Sequence, residues 1–473
     1  MSELCPPALS RATSLPNLPS ELNHIARRAT SLPNLPSELN HIARGATLPT
    51  LPSELIARIA SSLDSRTDIL SLRLTCGRIY TETKPAFWDA YLRVVHTSLC
   101  KEEITDLQEL ATHAELRKYV RKLCVCSTER TYKAYPQTIL HHFGHGYVWN
   151  RNPDGALAAP VPMVDILSDL LEESFKNCRE FRVENIVYQP HYRQRHQGDS
   201  DSDSYITPSD AVFVVLSAIT KAQTEVQSFE IDLGESDPVT LEPIRLSPNL
   251  LITPIFKNLW GLNTARLSLV YEEEPLDILD FSLNLILDAH KLQVLQLDFS
   301  YGDARKMLDR LNSTTCLPPL ETLILKQAIP NPESIKTLIQ KVGQKLQTLS
   351  FYEIGLTTHS DMDTWKAILT STISHAPYLK SFAINHVDQN YKPVLFCPLR
   401  DNPDAGFELL DILWDHKCRV GGVCYRGADM QQALNTISSC LYVFDSVNSP
   451  GWPGKDFETL GFVTEFKPSD FSL

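Results

Sequence analysis

The sequence predicts an α/β chain: a small three-helix unit followed by a solenoid in which short strands and returning helices alternate. Two observations predict this. Between Leu51 and Trp88, apolar residues recur at the spacing of short helices, broken by polar turns. Between Val120 and Ile384, a six-residue pattern with apolar residues at positions one, four and six returns eight times. Its starts are Val120, Cys178, Val226, Leu262, Leu292, Leu320, Leu346 and Leu379, and three consecutive steps are 30, 28 and 26 residues. Segments of that size cannot bury an apolar face alone, so neighbours must stack.

The elements follow in order. Residues 1–47 are expected to be a disordered arm. Arg11–Arg27 and Arg28–Arg44 are identical, and a diverged third copy begins at Gly45. Each upstream copy offers the start of a helix, but its apolar face stops within a turn, and the next Leu-Pro ends it. A recent duplication explains this pair; a weak extra docking peptide is the functional alternative.

Residues 48–95 form the helical unit. Pro52 suits the start of a first helix carrying Leu55, Ile56, Ile59, Ala60 and Leu63. Ser65 or Thr67 caps a second, with Ile69, Leu72 and Cys76 on one face and Leu70 and Leu74 widening it. Ile79 and Tyr80 begin a third, and Pro85, Phe87 and Trp88 close the unit. So small a bundle carries more apolar side chains than it can hide, which points to a covering partner. An ordinary helical subdomain docked on the same chain is the other reading.

This stretch resembles the F-box, through Leu51-Pro52-x-Glu54-Leu55, Ile59, Leu63, Ile69-Leu70, Cys76 and Trp88. It departs from the family by one extra residue in the Asp64–Thr67 turn and by Ile79 where many members have an aromatic. The resemblance implies docking on a Skp-type adaptor, and through it a cullin, by Leu51, Pro52, Leu55, Ile59, Leu63, Leu70 and Cys76. Which of these are interface and which internal core stays open at this stage.

Residues 100–397 form the array, with strands in parallel on its concave side and helices on its convex side. Ser334–Leu346, Met362–Ile373 and Leu276–Leu287 carry the helical stripes. The array resembles irregular leucine-rich repeats, whose period is about 20–29 residues, although the family's Asn or Cys at the strand end is mostly missing. The outward strand positions are the expected substrate-binding residues: Glu230, Asp232, Gln296, Asp298, Ile324, Lys326, Ser350, Tyr352, Ala383 and Asn385. The polar stretch Gln189–Asp210, with its Asp/Ser run from Gly198 to Ser204, reads as a solvated loop. A phosphorylation site for an acid-directed kinase is its functional alternative. Residues 398–473 are expected to cap the array and end in a loose tail, with Phe407–Trp414 helical, Ser449–Asp456 turn-rich and Thr464–Leu473 the tail.

Composition narrows the partners. The chain carries 44 Lys and Arg against 57 Asp and Glu, a net charge of −13. That argues against nucleic acid or an anionic membrane surface as the main partner. No apolar run is long enough for a membrane span. Eleven scattered cysteines without framework spacing suggest reduced thiols and a cytoplasmic or nuclear location.

Motif chemistry is sparse: GxGxxG, P-loop, HExxH and GxSxG are all missing. His141, His142 and His145 are expected on a surface loop. Cys124 and Cys126 share one face of a strand, but zinc would need a second pair. Cys418 and Cys424 make a poor one, so no metal and no cofactor is expected. The resulting expectation is a non-catalytic substrate receptor of an SCF-type ubiquitin ligase. An F-box and leucine-rich-repeat scaffold working outside a ligase is the alternative, with an enzyme whose site lacks a familiar motif behind it.

Overall fold

The computed structural model describes residues 51–444, except 64, 127, 133–134, 154–156, 185–205, 233–258, 260, 269–276, 300–303, 358–363, 402–405 and 415–416. The tandem repeat, the Gly198–Ser204 run, Ser449–Asp456 and Thr464–Leu473 lie outside the described residues. The chain divides into two compact units, Met1–Arg93 and Val94–Leu473.

The first unit has four described helices rather than three: α1 (Ser53–Ser61), α2 (Arg66–Arg73), α3 (Gly77–Glu82) and α4 (Lys84–Leu92). Pro85 does not close the unit. It sits in the first turn of α4, where a missing N–H costs nothing. Pro52 precedes α1, and the Ser65 hydroxyl accepts from the Asp68 N–H to cap α2. Ile56 and Ala60 of α1, Leu72 of α2 and Ile79 of α3 form the core. The buried Arg73 lays its guanidinium 4.2 Å from the Tyr80 ring and 4.0 Å from that of Phe87, tying α2 to α3 and α4.

The second unit is mixed α/β, built on a mostly parallel sheet. Its strands are β1 (Val94–Thr97), β2 (Lys122–Cys126), β5 (Glu180–Glu184), β6 (Ser228–Asp232), β7 (Thr264–Ser268), β8 (Val294–Asp298), β9 (Thr322–Ala328), β10 (Thr348–Leu356) and β11 (Ser381–Asn385). They lie side by side in chain order, each parallel to the last. Each strand from β2 onward starts two residues after a position one of the six-residue pattern. Positions one, four and six are buried in all eight copies, from Val120, Leu123 and Val125 to Leu379, Phe382 and Ile384. Alternation explains positions four and six, because every second side chain of a strand points to the same face, while position one lies in the turn just before each strand.

Helices occupy the intervals: α5 (Lys101–Thr112), α6 (Ala114–Arg117), α7 (Pro162–Asp169), α8 (Pro208–Lys221), α9 (Asp277–Asp288), α10 (Arg305–Ser313), α11 (Pro332–Val342) and α12 (Thr364–His375). The stripes read from sequence face the core: Ile335, Leu338, Ile339 and Val342 of α11, and Trp365, Ile368 and Leu369 of α12. Trp365 meets Phe351 of β10 edge to face at 5.6 Å between ring centroids, and its indole N–H donates to the Asp388 carbonyl at 3.0 Å.

Three expectations are corrected. Phe407–Trp414 is a strand, β14, not a helix; it pairs antiparallel with β15 (Lys417–Arg426), which closes the sheet against β11. A bulge between Leu410 and Asp411 breaks the alternation, so the segment imitates helical spacing. His141 and His142 end β4 (Tyr135–His142), paired with β3 (Thr128–Tyr132), rather than lying in a loop. Finally, the stretch Gln189–Asp210 does not end as a solvated loop. Thr207 and Asp210 form a capping box at the start of α8, and Asp210 is buried on Arg151 at 2.8 Å.

Beyond β11 come β12 (Asp388–Gln389), β13 (Lys392–Leu395), helix α13 (Met430–Cys440) and β16 (Tyr442–Val443). No helix among the described residues is long and apolar enough to cross a membrane.

Candidate functional site

On the helical unit, the seven expected adaptor residues separate into two groups. Leu51, Ile59, Leu63 and Cys76 pack against the Ile56, Ala60, Leu72 and Ile79 cluster and serve mainly the unit's own core. Pro52 is exposed, Leu55 is half-buried outside that cluster, and Leu70 is 40% exposed. Two further apolar side chains are more exposed still: Leu74 at 72% and Tyr80 at 51%. Leu70 and Leu74 therefore do not widen the buried face of α2. At about 100° per residue, Ile69, Leu72 and Arg73 fall together, while Leu70 and Leu74 lie on a separate flank. That angle was readable in the sequence.

On the sheet, the face opposite the buried one is polar. A parallel sheet covered on both faces reads as continuous apolar runs. Here β5 and β8 alternate buried and half-buried positions, whereas the central outward residues of β2, β6 and β11 are buried as well. Register carries one row across the sheet: Cys124, Arg182, Glu230, Arg266, Gln296, Ile324, Ser350, Ala383 and Cys424.

The expected substrate residues all lie on this face, but three are buried: Glu230, Ser350 and Ala383. Glu230 sits among three cations, with Lys122 at 3.1 Å, Arg266 at 3.4 Å and Arg182 at 3.8 Å. Arg182 also meets Glu184 at 3.0 Å and Asp232 at 3.4 Å. Burial works against the Arg182 charge, but Glu184 and Glu230 outweigh it and hold its pKa up. Ser350 hydrogen-bonds Tyr352, whose phenol burial pushes upward. Asp232, Gln296, Asp298, Ile324, Lys326, Tyr352 and Asn385 are half-buried. Gly422 of β15 lies against Asn385, where a side chain would collide with the Asn385 carboxamide oxygen.

The C-terminal ends of β9, β10 and β11 share a feature the sequence pattern missed. Gln327, Glu353 and His386 directly follow Lys326, Tyr352 and Asn385, and adopt φ of 49°, 55° and 48°. Positive φ is uncommon outside glycine, and each instance costs on the order of 1–3 kcal/mol. Gln327 donates to Glu353 at 3.0 Å across the row. Beside them, Lys326 reaches within 5.6 Å of the Tyr352 ring, and burial lowers its pKa against the pull of Asp298. Burial also lowers the His386 pKa and raises that of Asp388 to about 6. One strip thus gathers a cation, an aromatic ring, an imidazole and two carboxyls, a set suited to polar recognition of a polypeptide.

Cys124 on β2 and Cys424 on β15 are at opposite ends of the sheet. The nine described cysteines are free thiols. No family model matches the chain, and the search of curated proteins found no similar one.

Proposed function

We propose that the chain is a non-catalytic receptor subunit of an SCF-type ubiquitin ligase. Its helical unit docks a Skp-type adaptor and, through it, a cullin. The sheet of the second unit is a leucine-rich-repeat solenoid whose polar face holds a substrate protein. The observation that carries the first half is the exposure of Leu70, Leu74 and Tyr80 on a unit with the F-box pattern of apolar residues. Large apolar side chains left in water on so small a bundle favour a partner that covers them.

Support for the second half comes from eight in-register parallel strands in chain order, of which three consecutive steps, 30, 28 and 26 residues, fall near the repeat period, and from charged and polar side chains on the outward face. Ubiquitin transfer would belong to other subunits. This chain contributes proximity, raising the effective concentration of a substrate lysine near the conjugating enzyme.

Affinity capture of the tagged full chain from host lysate tests the reading, with the double variant Leu70→Asp and Leu74→Asp as control. Both side chains are exposed, so circular dichroism should show an unchanged fold. The wild type is expected to retain adaptor and cullin, and the variant neither. Adaptor without cullin would move the chain to a scaffold outside a ligase. Neither protein in the wild-type sample would overturn the adaptor reading.

A further inference from the structure

The first two strands of the sheet bring together three side chains that the sequence keeps apart. β1 and β2 run parallel with His96 opposite Cys124, and Cys126 follows two residues on, on the same face. The ligand atoms of His96, Cys124 and Cys126 all lie within 4.8 Å of one another. The Cys126 Sγ is 4.0 Å from His96 Nδ1. On β5, Glu184 stands in register with Cys126, and its Oε2 is 3.9 Å from the Cys124 Sγ.

The geometry points to a zinc site here: Cys124, Cys126 and His96 as three ligands of a tetrahedral Zn2+, with the Glu184 carboxylate as the fourth. Zn–S bonds of about 2.3 Å and Zn–N bonds of about 2.0–2.1 Å set tetrahedral ligand atoms roughly 3.5–3.8 Å apart. The spacing of His96, Cys124 and Cys126 therefore needs side-chain adjustments of about an ångström, and Glu184, 3.9 Å from the Cys124 Sγ, would turn toward the ion to complete the set. Two thiols and an imidazole select a thiophilic ion over Mg2+ or Ca2+.

The surroundings fit the charge. Two thiolates and a carboxylate exceed the charge of Zn2+ by one, and Arg182 at 3.0 Å from the Glu184 Oε2 supplies the balance and holds that carboxylate. Metal entry releases the thiol protons to solvent. His96 is exposed, which leaves a path for the ion. Bound Zn2+ would fasten the edge strand β1 to β2 and β5.

Anaerobic titration of the reduced full chain with Co2+, followed by Zn2+, tests the site. One Co2+ per chain is expected, with thiolate-to-metal charge-transfer absorption in the near ultraviolet and tetrahedral bands in the visible, both erased by Zn2+. Cys126→Ser and His96→Gln should each weaken binding at least tenfold. Cys316→Ser, at an exposed cysteine on no part of the cluster, should leave it unchanged. Because His96 is exposed, His96→Gln remains informative if Cys126→Ser fails to fold. Absence of the charge-transfer band in the wild type, or an undiminished band in folded His96→Gln, would overturn the proposal.

Discussion

At the scale of single residues, burial decides more than residue type. Asp388 shows this best. Its carboxyl lies against Gly355 of β10, its backbone carbonyl holds the Trp365 indole, and burial raises its pKa to about 6 against a backbone N–H from Tyr391. An acid with a raised folded-state pKa stabilises the fold while protonated. In the unfolded chain it titrates near 3.8. Its contribution to stability therefore falls as pH rises from about 4 to about 6, and stays low above that. Asp388→Asn should be more stable than wild type at pH 7, by up to roughly 3 kcal/mol on the scale of 1.36 kcal/mol per pKa unit. The difference between the two proteins should shrink toward pH 4, as measured by denaturant unfolding across that range. A difference independent of pH would refute the assignment. Glu230 teaches a related lesson. Read as an outward acid it looked available to a partner, yet Lys122, Arg182 and Arg266 already occupy it. An alternating strand pattern tells which face a side chain takes, not what stands beside it on the next strand.

At the scale of elements, helix starts and strand periods were the readable part. The Ser65 cap, the Pro52 start and all eight strand segments follow from local chemistry, because two-residue alternation is a property of the backbone. The element errors share a cause. Pro85 begins a fourth helix that the apolar pattern does not show, since proline is as welcome in a first turn as it is damaging in an interior. The bulge in β14 shifted its alternation out of phase. Thr207 reads as loop in the sequence because its cap partner, Asp210, is one more acid in a polar run. That capping box makes a direct prediction. Asp210 accepts from the Thr207 N–H at 3.2 Å and pairs with Arg151 at 2.8 Å, while 2% exposed. Asp210→Ala removes the carboxylate half of the capping box and the ion pair to Arg151. It should lower stability by about 2–4 kcal/mol in denaturant unfolding. Asp210→Asn, which keeps a capping oxygen, should cost less. Equal losses for the two would show that the charge alone matters.

At the scale of the whole molecule, the α/β character and the parallel order of the strands were legible, since a repeated six-residue pattern implies a repeated neighbour. What lay beyond reach depended on strands joining from far along the chain. β1 is only four residues long and carries no repeat signature, so the juxtaposition of His96 with Cys124 and Cys126 had no local signal. The antiparallel pair β14–β15 at the other end was hidden for the same reason. In the helical unit the apolar pattern located the helices and the helical angle already set Leu70 and Leu74 apart, but the packing was needed to place Leu51, Ile59, Leu63 and Cys76 in the core and Tyr80 outside it. The central claim is that Leu70, Leu74 and Tyr80 meet a Skp-type adaptor. Isothermal titration of the purified full chain with purified adaptor tests it most directly. The account predicts a one-to-one complex with Kd below about 1 μM, and a loss of about a thousandfold in affinity for the double variant Leu74→Asp and Tyr80→Asp, since interface anchors are each worth about 2 kcal/mol or more. No binding by the wild type, or equal affinity of a folded variant, would contradict it.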